Sequence, residues 1–231
     1  PTPDYIRRQR QMCIRDREGN VALNREIYEN LRYRIITNDL GAGQQLYEKE
    51  LMQEYGVGRT PLREIFQELQ RNGLIEIIPK LGTRVATLDL RTLRETIQLR
   101  RELEGLAAEL AAFHIQPMQF ETLQHLLEKA SKVKDNSAAA LKNLSELDME
   151  FHRIIYEASG NRQLREIIES LLYKMSMYWF QVGFSAAEFR EQFDELEDLL
   201  VAIEKRNYKQ AREIMKQHID HFTRLIKDNM F

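Results

Sequence analysis

From Leu23 the apolar side chains recur at Ile27, Leu31 and Ile35, a four-residue beat that predicts an amphipathic helix. Asn38-Asp39-Leu40-Gly41-Ala42-Gly43 is rich in turn formers and ends it. Leu46 to Tyr55 reads as a short second helix closed by Gly56. After Val57-Gly58-Arg59, the pair Thr60-Pro61 predicts the start of a third helix. The threonine hydroxyl caps a free backbone N–H, and proline needs no hydrogen there. Leu62, Ile65, Phe66 and Leu69 then face one way, and Asn72-Gly73 stops the helix. Leu74 to Ile78 and Thr83 to Thr87 read as two strands joined by a turn over Pro79-Lys80-Leu81-Gly82. Helix, helix, turn, helix and β-hairpin is the layout of a winged helix-turn-helix.

Beyond Asp89 the period is helical throughout. Six long helices are expected, over about 90–115, 118–134, 137–159, 161–183, 186–205 and 207–229. Pro117, Asp135-Asn136-Ser137, Ser159-Gly160-Asn161, Gly183 and Arg206-Asn207 separate them. Long helices with short connections make an antiparallel bundle. The fold class is therefore mainly α. A tail over 1–20 precedes a DNA-binding unit over 21–88 and an all-helical unit over 89–231.

Composition adds little. Hydrophobic residues at 43% and charged residues at 30% are ordinary for a globular chain, and 10 glycines with 5 prolines favour helix over strand. The one cysteine, Cys13, fits a reducing compartment. Neither a membrane-length apolar run nor the apolar core of a signal peptide stands out, so a cytoplasmic protein without a membrane partner is expected. Residues 1–88 hold 14 basic and 12 acidic side chains, and the remainder 20 and 24. That asymmetry has the right sign for an N-terminal nucleic-acid contact, but it is small. Arg7, Arg8, Arg10, Arg15 and Arg17 make the start basic; it is read as a flexible tail without functional weight.

Arg59, Thr60 and Arg63 cluster at the start of the third helix, the end that faces base edges in a helix-turn-helix. Arginine forks onto guanine O6 and N7, whereas threonine and the helix N-terminal amides suit a phosphate. Lys49 is placed for the backbone, Gly82 for a tight hairpin tip, and Lys80 and Arg84 beside it for phosphates or a minor groove. By spacing alone, two arginines at a helix start also describe a solvated face.

In the second unit Asp148 and His152 stand four apart on an apolar helix, which puts carboxylate and imidazole on one face within reach of one ion. His218 and His221 lie on the last helix. A helix-surface hydrogen bond explains the Asp148/His152 spacing equally well. Tyr173, Met177, Tyr178, Trp179 and Phe180 form a stripe that suits either a pocket lining or plain core.

The segment Gly58-Arg59-Thr60-Pro61-Leu62-Arg63-Glu64, with Leu69, Gly73-Leu74-Ile75 and Gly82-Thr83-Arg84-Val85, resembles the GntR family of bacterial regulators. The family usually has serine at Gly58 and Pro-Gly at Ala42-Gly43. The resemblance implies base reading by Arg59 and Arg63 and a backbone contact by Thr60. It also implies a homodimer on a double-stranded operator.

Arg100-Arg101-Glu102-Leu103-Glu104, Ala107-Ala108, Asp148 to His152, Ser159-Gly160-Asn161 with Leu164, Ala202-Ile203, and Met215 with His218-Ile219 resemble the FadR subgroup and its FCD effector domain. That resemblance implies a small-molecule effector, an organic or sugar acid, and in many members a divalent metal such as zinc, nickel or manganese. Asp148, His152 and His218 match three of its ligand positions, while the fourth is Leu196. Glu195, Glu197, His221 or water are the substitutes to weigh, alongside a site without metal. Arg100 matches the arginine that pairs an effector carboxylate, although a surface salt bridge to Glu104 is the plainer role. Asn161 is an effector contact or a helix cap. Two other readings stay open: a metal-dependent enzyme built on Asp148, His152 and His218, without an evident nucleophile motif, and a helical interaction protein without ligand.

Overall fold

The computed structural model describes residues 21–87 and 89–230, without the side chains of 181, 182 and 227–230. The basic tail over 1–20, Cys13 included, lies outside the described residues. The chain divides into two compact units, one up to Thr87 and one from Leu88.

The first unit opens with α1 over 21–36. Ile27, Tyr28, Leu31, Ile35 and Ile36 are buried, whereas Leu23, expected inward, is 39% exposed because it sits on the open first turn. β1 (Gln45–Leu46), α2 (Glu48–Tyr55), α3 (Arg59–Arg71), β2 (Ile75–Ile78) and β3 (Gly82–Val85) follow. α3 buries Leu62, Ile65, Phe66 and Leu69, the stripe its sequence predicts. The Asn72 amide at its end donates to the Tyr28 hydroxyl at 2.7 Å and fastens α3 to α1.

Three expectations need correction. Leu46 is not helical: Gln45 and Leu46 pair antiparallel with Arg84 and Thr83, adding a third strand in the order β1-β3-β2. The pairing buries Leu46 and delays α2 to Glu48. Secondly, α3 starts at Arg59, two residues early, with Gly58 as its extended N-cap and no side-chain cap. Thr60 therefore lies inside the first turn instead of capping it. Pro61 remains acceptable because the first turn has no use for its missing N–H. Thirdly, Gly82 opens β3 opposite Ile78 instead of forming the tip. The turn is Pro79-Lys80-Leu81, with Lys80 itself left-handed at φ 68°.

The second unit is a bundle of α4 (Leu90–His114), α5 (Pro117–Lys132), α6 (Ala138–Ala158), α7 (Arg162–Val182), α8 (Ala186–Glu204) and α9 (Tyr208–Met230). Side chains fix most starts. Asp89 accepts from Arg91 and Thr92, Ser137 from Ala140, Asn161 from Leu164, and Ser185 forms a reciprocal box with Glu188. α4 is central, packing on α6, α7, α8 and α9. Its buried side is small there: Ala107, Ala108, Ala111 and Ala112 are fully buried. A Cβ at Gly105 would stand 3.1 Å from Lys216 Cγ, so α9 approaches closely there. No helix among the described residues is long and apolar enough to cross a membrane.

Candidate functional site

On the first unit, Arg59 and Arg63 both stand out at the start of α3, with side chains 68% and 60% exposed. They lie one turn apart and share one neighbour, Glu48 at the start of α2, at 3.6 and 3.4 Å. At that exposure the contact contributes little to stability, but it gathers two guanidinium groups at one spot. Sequence reasoning missed Glu48, because its place beside α3 depends on how the two helices cross. Lys49, Thr60 and Lys80 are exposed. Arg84 is engaged: its guanidinium holds Glu76, its cross-strand partner, at 2.7 Å.

On the second unit, Asp148 and His152 of α6 meet His218 of α9, with one ligand atom from each within 4.8 Å of the others, all buried. His152 Nε2 and His218 Nε2 face each other at 3.3 Å, and Asp148 Oδ1 is 3.7 Å from His152 Nε2. The far side of each ring meets a carboxylate. His152 Nδ1 is 2.8 Å from Glu104 Oε2, and His218 Nδ1 is 3.1 Å from Glu195 Oε2. A ring nitrogen that close to a carboxylate oxygen carries the proton, since two lone pairs would repel. A carboxylate beside each Nδ1 favours the proton there, so that each ring in its neutral form turns Nε2 toward the other.

Such a pair needs a cation between its nitrogens. Two imidazole nitrogens on one tetrahedral zinc stand roughly 3.3 Å apart, given Zn–N bonds of about 2.0–2.1 Å. The charge has the right sign: the one buried guanidinium, Arg100, faces the buried carboxylates of Glu104 and Asp148 and the half-buried one of Glu195, an excess of negative charge that suits a cation. The donor set thus fits a metal of the expected class.

Arg100 and Glu104 do pair, but not at the surface: their side chains are 3% and 0% exposed. α4 lies inside the bundle, so the i, i+4 pair is enclosed by its neighbours. Burial alone would raise the Glu104 carboxyl, yet the Arg100 charge and the His152 ring overcome it and hold the pKa at about 2. Burial would likewise push His152 down, but Asp148 and Glu104 bring it above the usual imidazole value. Glu195 is held below its ordinary value: His218 and His221 outweigh the desolvation that would raise it.

Neither Glu195, Glu197 nor His221 joins the three among the described residues. Leu196 is fully buried core. Glu195 is spent on the outer nitrogens of His218 and His221, the latter at 2.9 Å. Glu197 is exposed and lines an outer groove with Gln124 and Ser131. Asn161 makes the cap, its carboxamide oxygen accepting from Leu164 N at 3.1 Å. In the aromatic stripe, Tyr173, Met177, Tyr178 and Trp179 are buried. The sequence reading named Glu104 as a partner of Arg100 and Glu195 as a substitute ligand, but not their places behind the rings of His152 and His218. Their only signals are four-residue spacing from Arg100 and adjacency to Leu196.

Two family models match this chain, the gntR family of bacterial regulatory proteins over residues 23–85 and the FCD domain over 95–221. The chain belongs to the GntR family of bacterial regulators. Members of this family are transcription regulators of the helix-turn-helix type and not enzymes, so the enzyme reading falls. Similar to this GntR-family protein are the HTH-type transcriptional regulator McbR of Escherichia coli K12, 27% identical over 87% of this chain and 92% of its own, and the HTH-type transcriptional repressor RspR of the same strain, 25% identical over 89% of each. The repressor NanR of Escherichia coli O1:K1 is 30% identical over 65% of this chain and 63% of its own. The solved structure of E. coli McbR/YncC superimposes with a TM-score of 0.79 at 24% identity, covering 90% of this chain and 99% of that one. A GntR regulator from Rhodococcus sp. RHA1 follows at 0.73 and 16%, covering 89% and 97%.

Proposed function

We propose that this GntR-family regulator is a repressor, released from its operator when a small carboxylate binds beside a divalent cation in the helical unit. The observation that carries the reading is the pair of facing Nε2 atoms 3.3 Å apart, each ring with a carboxylate beside its other nitrogen. A shared proton also relieves two facing lone pairs. Here Asp148 converges on the same point, and a three-donor site favours a metal.

Asp148, His152 and His218 hold the ion; Glu104 and Glu195 hold the rings in the tautomer that binds it. When bound, the ion supplies positive charge and open coordination positions for a carboxylate oxygen. Leu196, in place of a fourth ligand, leaves one more such position to the effector. Arg100, whose Nε is on Glu104, offers its terminal nitrogens to the same carboxylate. Two copies of the chain bind a pseudo-palindrome, with one α3 per half-site. An effector that binds more tightly in the off-DNA arrangement lowers operator affinity by linkage.

Elemental analysis of protein purified without chelators is the test. We expect about one zinc, nickel or manganese per chain, and none in His152→Ala or His218→Ala. Organic acids are expected to dissociate the wild type from its operator but not the two variants. Metal-free wild type, or variants that keep the metal, ends this reading. Asn161→Ala is expected to lose a cap worth about 1 kcal/mol, lowering Tm by roughly 2–4 °C while the response to acids stays intact. A lost response at unchanged Tm returns Asn161 to the effector site.

A further inference from the structure

Glu48, the first residue of α2, meets both arginines at the start of α3. Its carboxylate divides between them. Oε1 lies 3.4 Å from Nε of Arg63, and Oε2 lies 3.6 Å from Nε of Arg59. Both contacts use Nε, so the two terminal nitrogens of each guanidinium remain, an edge that forks onto guanine O6 and N7. Arg84 differs, because its Nε and one terminal nitrogen are both spent on Glu76, at 2.8 and 2.7 Å. Among the described residues neither Arg59 nor Arg63 pairs with another carboxylate, although the exposed Glu64 follows Arg63 directly. Glu48 is itself only 32% exposed, and the first turn of a helix favours a carboxylate at its place.

An arginine on a long stem has two kinds of partner on a duplex. Phosphates carry full charge and no sequence; base edges carry sequence and no charge. A carboxylate beside the guanidinium shifts the balance toward the base. It offsets part of the positive charge that draws the side chain to the backbone. It also repels a phosphate oxygen approaching the same group, whereas guanine O6 and N7 are neutral acceptors. Specificity is a difference of affinities, and a repulsive element set against the wrong partner raises it.

We propose that Glu48 is a positioning residue for sequence recognition: it holds Arg59 and Arg63 by Nε, keeps both off the phosphates and leaves their terminal nitrogens for guanine. This rests on the reading in which α3 enters the major groove. Removing the carboxylate then has an unusual sign, since binding to random DNA tightens while discrimination is lost.

The operator is first selected from a random pool with the wild-type full chain. Affinities of the wild type, Glu48→Gln and Glu48→Ala for that operator and for a random duplex of equal length are then measured at two salt concentrations. Both variants are expected to hold the random duplex more tightly than the wild type does and the operator no more tightly. Selectivity thereby falls about 10-fold or more. Log K for the random duplex is expected to fall more steeply with log salt, by about one per chain. With Arg59→Ala and Arg63→Ala in place, Glu48→Gln leaves that slope unchanged, because no guanidinium is there to turn to a phosphate. A merely structural role weakens both duplexes alike and preserves their ratio and the slope. A Glu48 that acts by its own charge strengthens both duplexes alike, or steepens the slope even without the two arginines. Either result overturns the proposal, as does wild-type selectivity in the variants, and the groove reading survives all three. A wild type that selects no sequence ends both.

Discussion

Glu104→Ala will be among the most destabilising single substitutions in the helical unit. Its carboxylate is fully buried, bonded to the Arg100 guanidinium on one side and set against His152 Nδ1 on the other. Alanine removes the anion that Arg100 bonds and leaves the enclosed guanidinium with Asp148 as a more distant counter-charge. Breaking a buried pair in this way costs about 3–5 kcal/mol. At about 2–4 °C per kcal/mol for a chain of this size, Tm falls by roughly 6–20 °C. The double variant Arg100→Leu, Glu104→Leu removes both charges and fills the space. It is expected to recover much of the loss, since the penalty belongs to the unpaired charge and not to the missing bond. Glu104→Gln keeps the volume but no longer forces the proton onto Nδ1 of His152. Its zinc affinity should drop about 10–100-fold even where the fold is retained. Calorimetric unfolding and a competition titration with a zinc chelator read the two effects separately. A Tm change under about 3 °C for Glu104→Ala would show that Arg100 finds another partner or water.

Arg59→Ala with Arg63→Ala is expected to abolish selective operator binding. Each bidentate arginine–guanine contact discriminates by about 1–3 kcal/mol, so the pair accounts for roughly 30- to 20,000-fold in affinity for the selected sequence over a random duplex. The operator comes first, by selection from a random pool with the wild type. Binding of both proteins is then measured at two salt concentrations. The residual affinity of the double variant should be salt-dependent and indifferent to sequence, because phosphate contacts remain. Lys49→Ala should act in the opposite way, weakening all duplexes alike and lowering the salt slope by about one. Exposed side chains at Arg59 and Arg63 make either change nearly silent for folding. Retained selectivity in the double variant would assign readout elsewhere, with the wing, where Lys80 sits at the turn, as the first place to look.

Much was settled by local pattern. The beat of Ile27, Leu31 and Ile35, the stripe from Leu62 to Leu69, the breaks at Pro117, Asn161 and Gly183, and the Asp148/His152 spacing each depend on residues within a turn or two of one another. Period and capping chemistry act at that range, so helix order and the hairpin could be read directly. What only the tertiary structure decided concerns groups distant in sequence or dependent on burial. His152 and His218 are 66 positions apart, yet their Nε2 atoms meet at 3.3 Å, because α6 and α9 both pack against α4. The i, i+4 spacing of Arg100 and Glu104 describes an exposed helix face as well as an enclosed one. Neighbouring helices remove the water and turn a weak surface pair into a charge that must be balanced. Leu46 left the second helix for the same kind of reason: β3 offered it hydrogen bonds and a buried position that no local propensity records.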